Sequence, residues 1–200
     1  MTQWVENPEG GRDRGPRGLA RAWIEVLVRP DRFFRTGIAA GDQAPALTFV
    51  VAVVAIEEAT RYALVENAVP AVAGGELSSA AVALAVTVLI VAPASLHLIS
   101  ALQTVLLMAG APERGGVSET VQVLAYATAP CALAGAPIPA LRVACAAYAT
   151  VLYVAGLSRV HDLSTARAAV LGVIPAAVAF GYGFRGFAAA LDLLGSVPGV

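Results

Sequence analysis

The sequence predicts an all-α, polytopic membrane helix bundle, with five transmembrane helices preceded by an amphipathic interfacial helix. Three observations lead there. Hydrophobic residues make up 58% of the 200 residues and charged residues 14%, where a soluble domain carries roughly 25%. The mean hydropathy is +0.74. Apolar runs long enough to cross a hydrocarbon core of about 30 Å recur between short polar connectors. The length suits one domain.

Residues 1–16 are polar and rich in glycine, and read as a flexible cytoplasmic tail. The membrane domain then covers 17–200. No apolar leader occupies the first 18 residues, so insertion is expected to rest on the spans themselves. An interfacial segment is expected over about 17–35, an amphipathic helix from about Arg17 to Arg29 that Pro30 ends, followed by an anchor. Arg17, Arg21, Glu25 and Arg29 recur on one side and Leu19, Trp23, Val26 and Leu27 lie opposite. That pattern fits a helix in the headgroup layer, or equally an ordinary helix packed on the bundle. Trp23, Arg29, Pro30, Phe33 and Phe34 read as the interfacial anchor, with rings set between arginines.

The first span is expected over 45–65, with Glu57, Glu58 and Arg61 able to share a helical face in its second half. The second, 79–108, exceeds what one straight crossing needs, and Pro93 with His97, Ser100 and Gln103 predicts a tilt or kink. The third, 118–137, starts at a candidate cap, Ser118, and carries Gln122, Tyr126, Thr128 and the bending Pro130. Such a helix belongs between other helices rather than against lipid. The fourth covers 139–157 and the fifth 165–190, the latter capped by Ser164 and interrupted by Pro175. A re-entrant run would reduce the count to four.

All 13 basic residues are arginine. With the N-terminus inside, Arg12, Arg14, Arg17, Arg21, Arg29, Arg32, Arg35, Arg114, Arg159 and Arg167 are cytoplasmic, while Arg61, Arg142 and Arg185 fall opposite. The positive-inside bias therefore predicts a multi-pass cell-membrane protein with a cytoplasmic N-terminus and an external C-terminus.

Glu57, Glu58, Arg61, Arg142 and Arg185 are predicted at similar depth and form the one membrane-embedded polar cluster. Ionised groups there need partners or water. They could line an ion path; a structural cluster that orients helices and snorkels to the nearby surface is the favoured reading. Cys131 and Cys145 are equally distant in sequence from Ile138, the middle of the hairpin turn, and could face each other, as packing residues rather than a disulfide. His97 has Ser95 and Ser100 nearby, but no GxSxG elbow exists. His161-Asp162 offers at most two metal ligands. No catalytic, metal or cofactor site is expected, and neither is nucleic-acid binding.

Two short motifs and the overall plan resemble the YIP (Ypt-interacting protein) domain family of five-span membrane proteins over about residues 20–190. Val26-Leu-Val-Arg-Pro-Asp-Arg-Phe-Phe34 is similar to the family's pre-membrane lead-in, common in its prokaryotic branch, and Tyr126-Ala-Thr-Ala-Pro130 to its third-span tyrosine-proline element. The resemblance implies a non-enzymatic membrane protein acting through the bilayer and protein partners, in membrane organisation or a trafficking-like role. Small-residue faces permit homo-oligomers or contact with another membrane protein. Eukaryotic members bind small GTPases. Their Asp-Leu-x-Gly-Pro element is replaced here by Gly41-Asp-Gln-Ala-Pro45, so GTPase binding is not expected to carry over. The alternative is a small transporter or channel using Glu57, Glu58, Arg61 and Arg185.

Overall fold

Prolines decide where helices begin and where they leave α geometry. A computed structural model describes residues 15–111 and 114–196; the predicted tail, with Arg12 and Arg14, lies almost wholly outside them. Helix α1 (Pro16–Val28), α2 (Pro30–Thr36), α3 (Ala44–Leu64) and α6 (Pro139–Val160) each have proline in the first two positions. There the missing N–H costs nothing and the fixed φ suits a helix. Helix α4 runs Glu76–Gly110, α5 covers Val117–Ala127 and continues as a 3-10 segment, Ala129–Leu133. Helix α7 spans Thr165–Gly183 and α8 Gly186–Gly195. No strand occurs among the described residues.

The three prolines inside the apolar runs each sit beside a departure from α geometry. A π turn over Thr87–Val91 precedes Pro93 in α4, and another over Ala177–Gly183 follows Pro175 in α7. Pro130 lies in the 3-10 segment after α5. A proline ring displaces the carbonyl four residues back; for Pro93 that carbonyl, at Leu89, lies inside the widened turn that absorbs the displacement.

Helices α4, α6 and α7 are long and apolar enough to cross a membrane. At 35 residues, α4 reaches about 52 Å, far beyond a hydrocarbon core of about 30 Å. Helix α3 has the length, at 21 residues, but carries Glu57, Glu58 and Arg61 near its end. The last predicted span ends earlier than expected, because the chain breaks at Phe184–Arg185 before α8. The third starts one residue earlier, with Gly116 and not Ser118 at the cap position. Ser164 does cap α7, accepting from the Arg167 N–H at 3.3 Å.

Helix α5 is the centre of the bundle: every residue from 120 to 132 is buried. The buried Tyr126 ring meets Phe33 edge-on at 4.8 Å and Phe49 at 5.1 Å between centroids. Gly156 admits this packing, since a Cβ there would lie 2.6 Å from Val123 Cγ1 and 3.0 Å from Phe34 Cε1.

The amphipathic helix stops before Pro30, as expected, and the rest of the 17–35 segment forms a second short helix, because Pro30 cannot continue the α1 hydrogen-bond ladder. Ala22, Val26, Phe33 and Phe34 are buried in the core. Of the residues read as an interfacial anchor, Phe33 and Phe34 therefore point into the protein, while Arg29 is exposed and Trp23 and Pro30 are half-buried. Trp23 Nε1 donates to the Ala129 carbonyl at 2.8 Å, and the Tyr148 hydroxyl donates to that of Leu27. These two bonds strap α1 to the 3-10 segment and to α6. The first uses an acceptor that the irregular segment leaves available.

Candidate functional site

Two consecutive glutamates on α3 organise the polar cluster. Glu57 is 2% exposed and Glu58 6%, so each charge needs a partner at close range. Arg185 supplies one to both: Nη2 pairs with Glu57 Oε1, and Nη1 lies 3.0 Å from Glu58 Oε1. Arg61 completes the set, with Nε at 2.9 Å and Nη2 at 2.7 Å from Glu58 Oε2. Its Nη1 donates to the Ala68 carbonyl at 3.2 Å, and its guanidinium stands 4.8 Å from the centre of the Tyr62 ring.

The backbone bends to make this arrangement. Arg185 has φ 59, in the left-handed region, a conformation that costs a non-glycine residue on the order of 1 kcal/mol. It sits at the break between α7 and α8, where the reversal aims its side chain back at α3. On the other flank, a Cβ at Gly135 would collide with the Glu57 carbonyl oxygen and lie 2.9 Å from Thr60 Cβ. Glycine there lets the α5–α6 turn press on α3 at the level of the carboxylates.

Arg142 does not join the cluster. Its Nε donates to the Ala134 carbonyl at 2.9 Å and its Nη2 to that of Ala136 at 3.4 Å. The 3-10 segment and turn leave those carbonyls without helical partners, and the nearest guanidinium takes them. The four remaining cluster residues are brought together. Tyr126 and Pro130 lie in the buried α5 segment against α1 and α2, apart from the charges.

Beside the carboxylates is a cavity of about 440 Å³, lined by Glu57 and Glu58 together with apolar side chains of α3, α4, α5 and α7. Both π turns border it: Thr87 and Val91 come from one, Val178, Ala179, Tyr182 and Gly183 from the other. π turns inside α-helices gather at functional sites. Their signal in the sequence was the prolines, but nothing in the sequence aligned the two turns on one cavity.

The other polar residues singled out are dispersed. His97 is exposed, and its Nδ1 bonds the Pro93 carbonyl of its own helix at 2.7 Å, so it is not posed beside Ser95 or Ser100 as a catalytic base. Cys131 and Cys145 are both buried free thiols. No group of three metal-ligating side chains occurs among the described residues. His161, in the connector after α6, is buried and meets Thr120 Oγ1 through Nε2 at 3.3 Å. Burial, with Arg114 in the same direction and Glu119 opposing, lowers its pKa to about 4.

Three long-range polar contacts escape sequence reasoning, since each joins residues distant in the chain. Gln122 bonds both the carbonyl (2.6 Å) and the N–H (3.0 Å) of Ala39. Tyr153 donates to Gln103 at 2.8 Å. The third is His161 with Thr120. For Gln122, Gln103 and Tyr153 the available signal was an isolated polar group in an apolar run; His161, in a polar connector, gave none.

Comparison with known proteins gives one family match: the Yip1 domain model covers residues 24–184. No curated protein matches the chain, and no solved structure does.

Proposed function

The chain belongs to the Yip1 domain family, and from that premise we propose that it is a non-enzymatic membrane protein crossing the bilayer five times, through α3 to α7. It acts by presenting an arginine-rich end to anionic lipid or a protein partner, in membrane organisation or a trafficking-like role. The observation that supports this is a segregation of cations. Asp31 pairs with Arg159, Ala39 with Gln122 and Thr120 with His161, so α2, the start of α5 and the end of α6 share one end of the bundle. Arg29 and Arg35 at α2, Arg159 at the end of α6 and Arg167 in the first turn of α7 are exposed there. At the opposite end Arg61, Arg142 and Arg185 are all bound internally. A cytoplasmic position for the exposed end, with the N-terminus inside and the C-terminus outside, follows the positive-inside rule. Helix α1 lies along the bundle instead of at this end, its start beside Ile56 and Leu133 and its Trp23 bonded to the Ala129 carbonyl.

The test uses the full chain in neutral nanodiscs, floated with anionic vesicles. Replacing Arg29, Arg35, Arg159 and Arg167 with Gln should weaken association at least about tenfold, since each arginine near an anionic surface contributes about 1 kcal/mol. Unchanged association rejects the lipid role. Cysteines placed singly at Gly75, Gly116, Ser164 and Gly195 test the crossings, with labelling of the first and last from outside only.

The cavity beside Glu57 and Glu58 supports a second reading, a small transporter or channel using those residues with Arg61 and Arg185. Ion or solute flux in proteoliposomes, abolished by Glu57→Gln, would establish it. Sealed vesicles that stay tight would remove it.

A further inference from the structure

The cavity between α3, α4 and α7 has the makings of a binding site for one class of molecule. Its wall is mainly hydrocarbon, including Val50, Val54, Leu96, Ile99 and Leu124. Against that wall stand polar groups with no protein partner. Glu57 is 2% exposed and lines the cavity, yet only its Oε1 takes a hydrogen bond, from Arg185; Oε2 takes none from the described residues. Thr87 and Ser95 also line the cavity and bond nothing among the described residues.

Those two hydroxyls differ from their neighbours. Thr48, Thr60, Thr104 and Thr150 each donate to the carbonyl four residues back, the usual solution for a hydroxyl on a helix without water. Thr87 opens the π turn of α4, and Ser95 follows it by one helical turn. Both remain available to something inside the cavity.

Charge narrows the choice of occupant. Glu57 and Glu58 are balanced by Arg61 and Arg185, so an additional ion of either sign would be uncompensated where the dielectric is low. An ionised carboxylate oxygen accepts and does not donate, so the occupant must bring a donor. Exposed Val91, Val178 and Tyr182 form an apolar rim on the outward faces of α4 and α7, the side from which a bilayer component would enter.

We propose that the cavity binds a neutral, hydroxyl-headed membrane lipid of the monoacylglycerol type. A head hydroxyl donates to Glu57 Oε2, Thr87 and Ser95 bond the remaining head oxygens, and the single chain lies among Val50, Val54, Leu96 and Leu124. This assignment goes beyond the role of the arginine-rich end and does not depend on it.

The full chain in phosphatidylcholine nanodiscs is offered three photoreactive probes with the same diazirine-bearing chain: a monoacylglycerol, a fatty acid and a fatty amine. The monoacylglycerol should label peptides containing Val50, Val54 and Leu96 about tenfold or more over the other two, the preference expected of a site whose acceptor a fatty carboxylate leaves unpaired and whose balanced charges an ammonium head upsets. Excess unlabelled monoacylglycerol should compete. Thr87→Val with Ser95→Ala should lower that labelling several-fold at unchanged thermal stability. Glu57→Gln, which leaves Arg185 short of a carboxylate, should raise fatty-acid labelling. Equal labelling by the three probes, labelling indifferent to the Thr87 and Ser95 changes, or no label in the cavity peptides (a water-filled cavity only) would each overturn the assignment. The hydroxyl variants retain every ion pair, so the test stands even where Glu57→Gln fails to fold.

Discussion

The two ends of the bundle treat charge in opposite ways. At the end built from α2, the start of α5 and the end of α6, Asp31 and Asp162 are exposed and Glu119 is half-buried. Asp31 meets Arg159 and, at 3.0 Å, Arg35, with side chains about half accessible. The buried contacts there are uncharged: Gln122 with Ala39, Thr120 with His161. At the other end Glu57 and Glu58 are buried, and Arg61, Arg142 and Arg185 are tied to them or to a free carbonyl. Identical residue types therefore do different work. Arginine at the first end is available to whatever lies outside the protein; arginine at the second holds helices together.

The sharpest way to test that contrast is to remove Glu58, which receives both Arg61 and Arg185. Breaking a buried pair leaves uncompensated charge and costs about 3–5 kcal/mol. Arg185 keeps Glu57 and its side chain is 29% exposed, so the low end of that range applies. Glu58→Leu should lower the melting temperature in detergent by more than any change at the opposite end. A variant as stable as the parent would show the cluster to be dispensable for the fold, and would return it to the role of a pathway.

His161 offers the largest effect at the other end. Its folded pKa of about 4 lies below the unfolded value near 6.5. Between those values the unfolded chain binds the proton more readily, so stability is greatest above about pH 6.5 and falls as pH drops toward 4, by about 3 kcal/mol in all. Melting temperatures from pH 7 to 4.5 should decline more steeply for the parent than for His161→Gln. Parallel curves would mean that the connector opens before the imidazole is protonated.

Much of this was legible in the sequence, and the reasons are physical. An apolar run must find lipid or another helix, so the helical bundle, the buried α5 and the positions of the disruptive prolines follow from composition and spacing. Glu58 and Arg61 lie within one turn of helix, so their pairing is a local matter. Arg185 joins them only through a left-handed residue at a helix break, but charge at matched depth was enough to propose it. Arg142 had the same depth and went elsewhere, because the carbonyls freed by the 3-10 segment could not be foreseen from residue types. Phe33 and Phe34 read as an interfacial anchor from their arginine neighbours; the packing of α2 against Tyr126 turns the rings inward. Pattern along a chain gives which face is apolar, not which apolar phase that face will meet.

The smallest effect completes the contrast. Asp31 is 53% exposed and holds Arg35 and Arg159, themselves 58% and 46% exposed. Ion pairs in such surroundings contribute about 0–1 kcal/mol and weaken with salt. Asp31→Asn should therefore leave the melting temperature nearly unchanged, with any difference vanishing at high salt. It should also free two arginines and strengthen association of nanodisc-held protein with anionic vesicles. Loss of stability on the scale of Glu58→Leu would mean that this end, too, is held by its charges, and the exposed arginines would no longer be free to bind lipid.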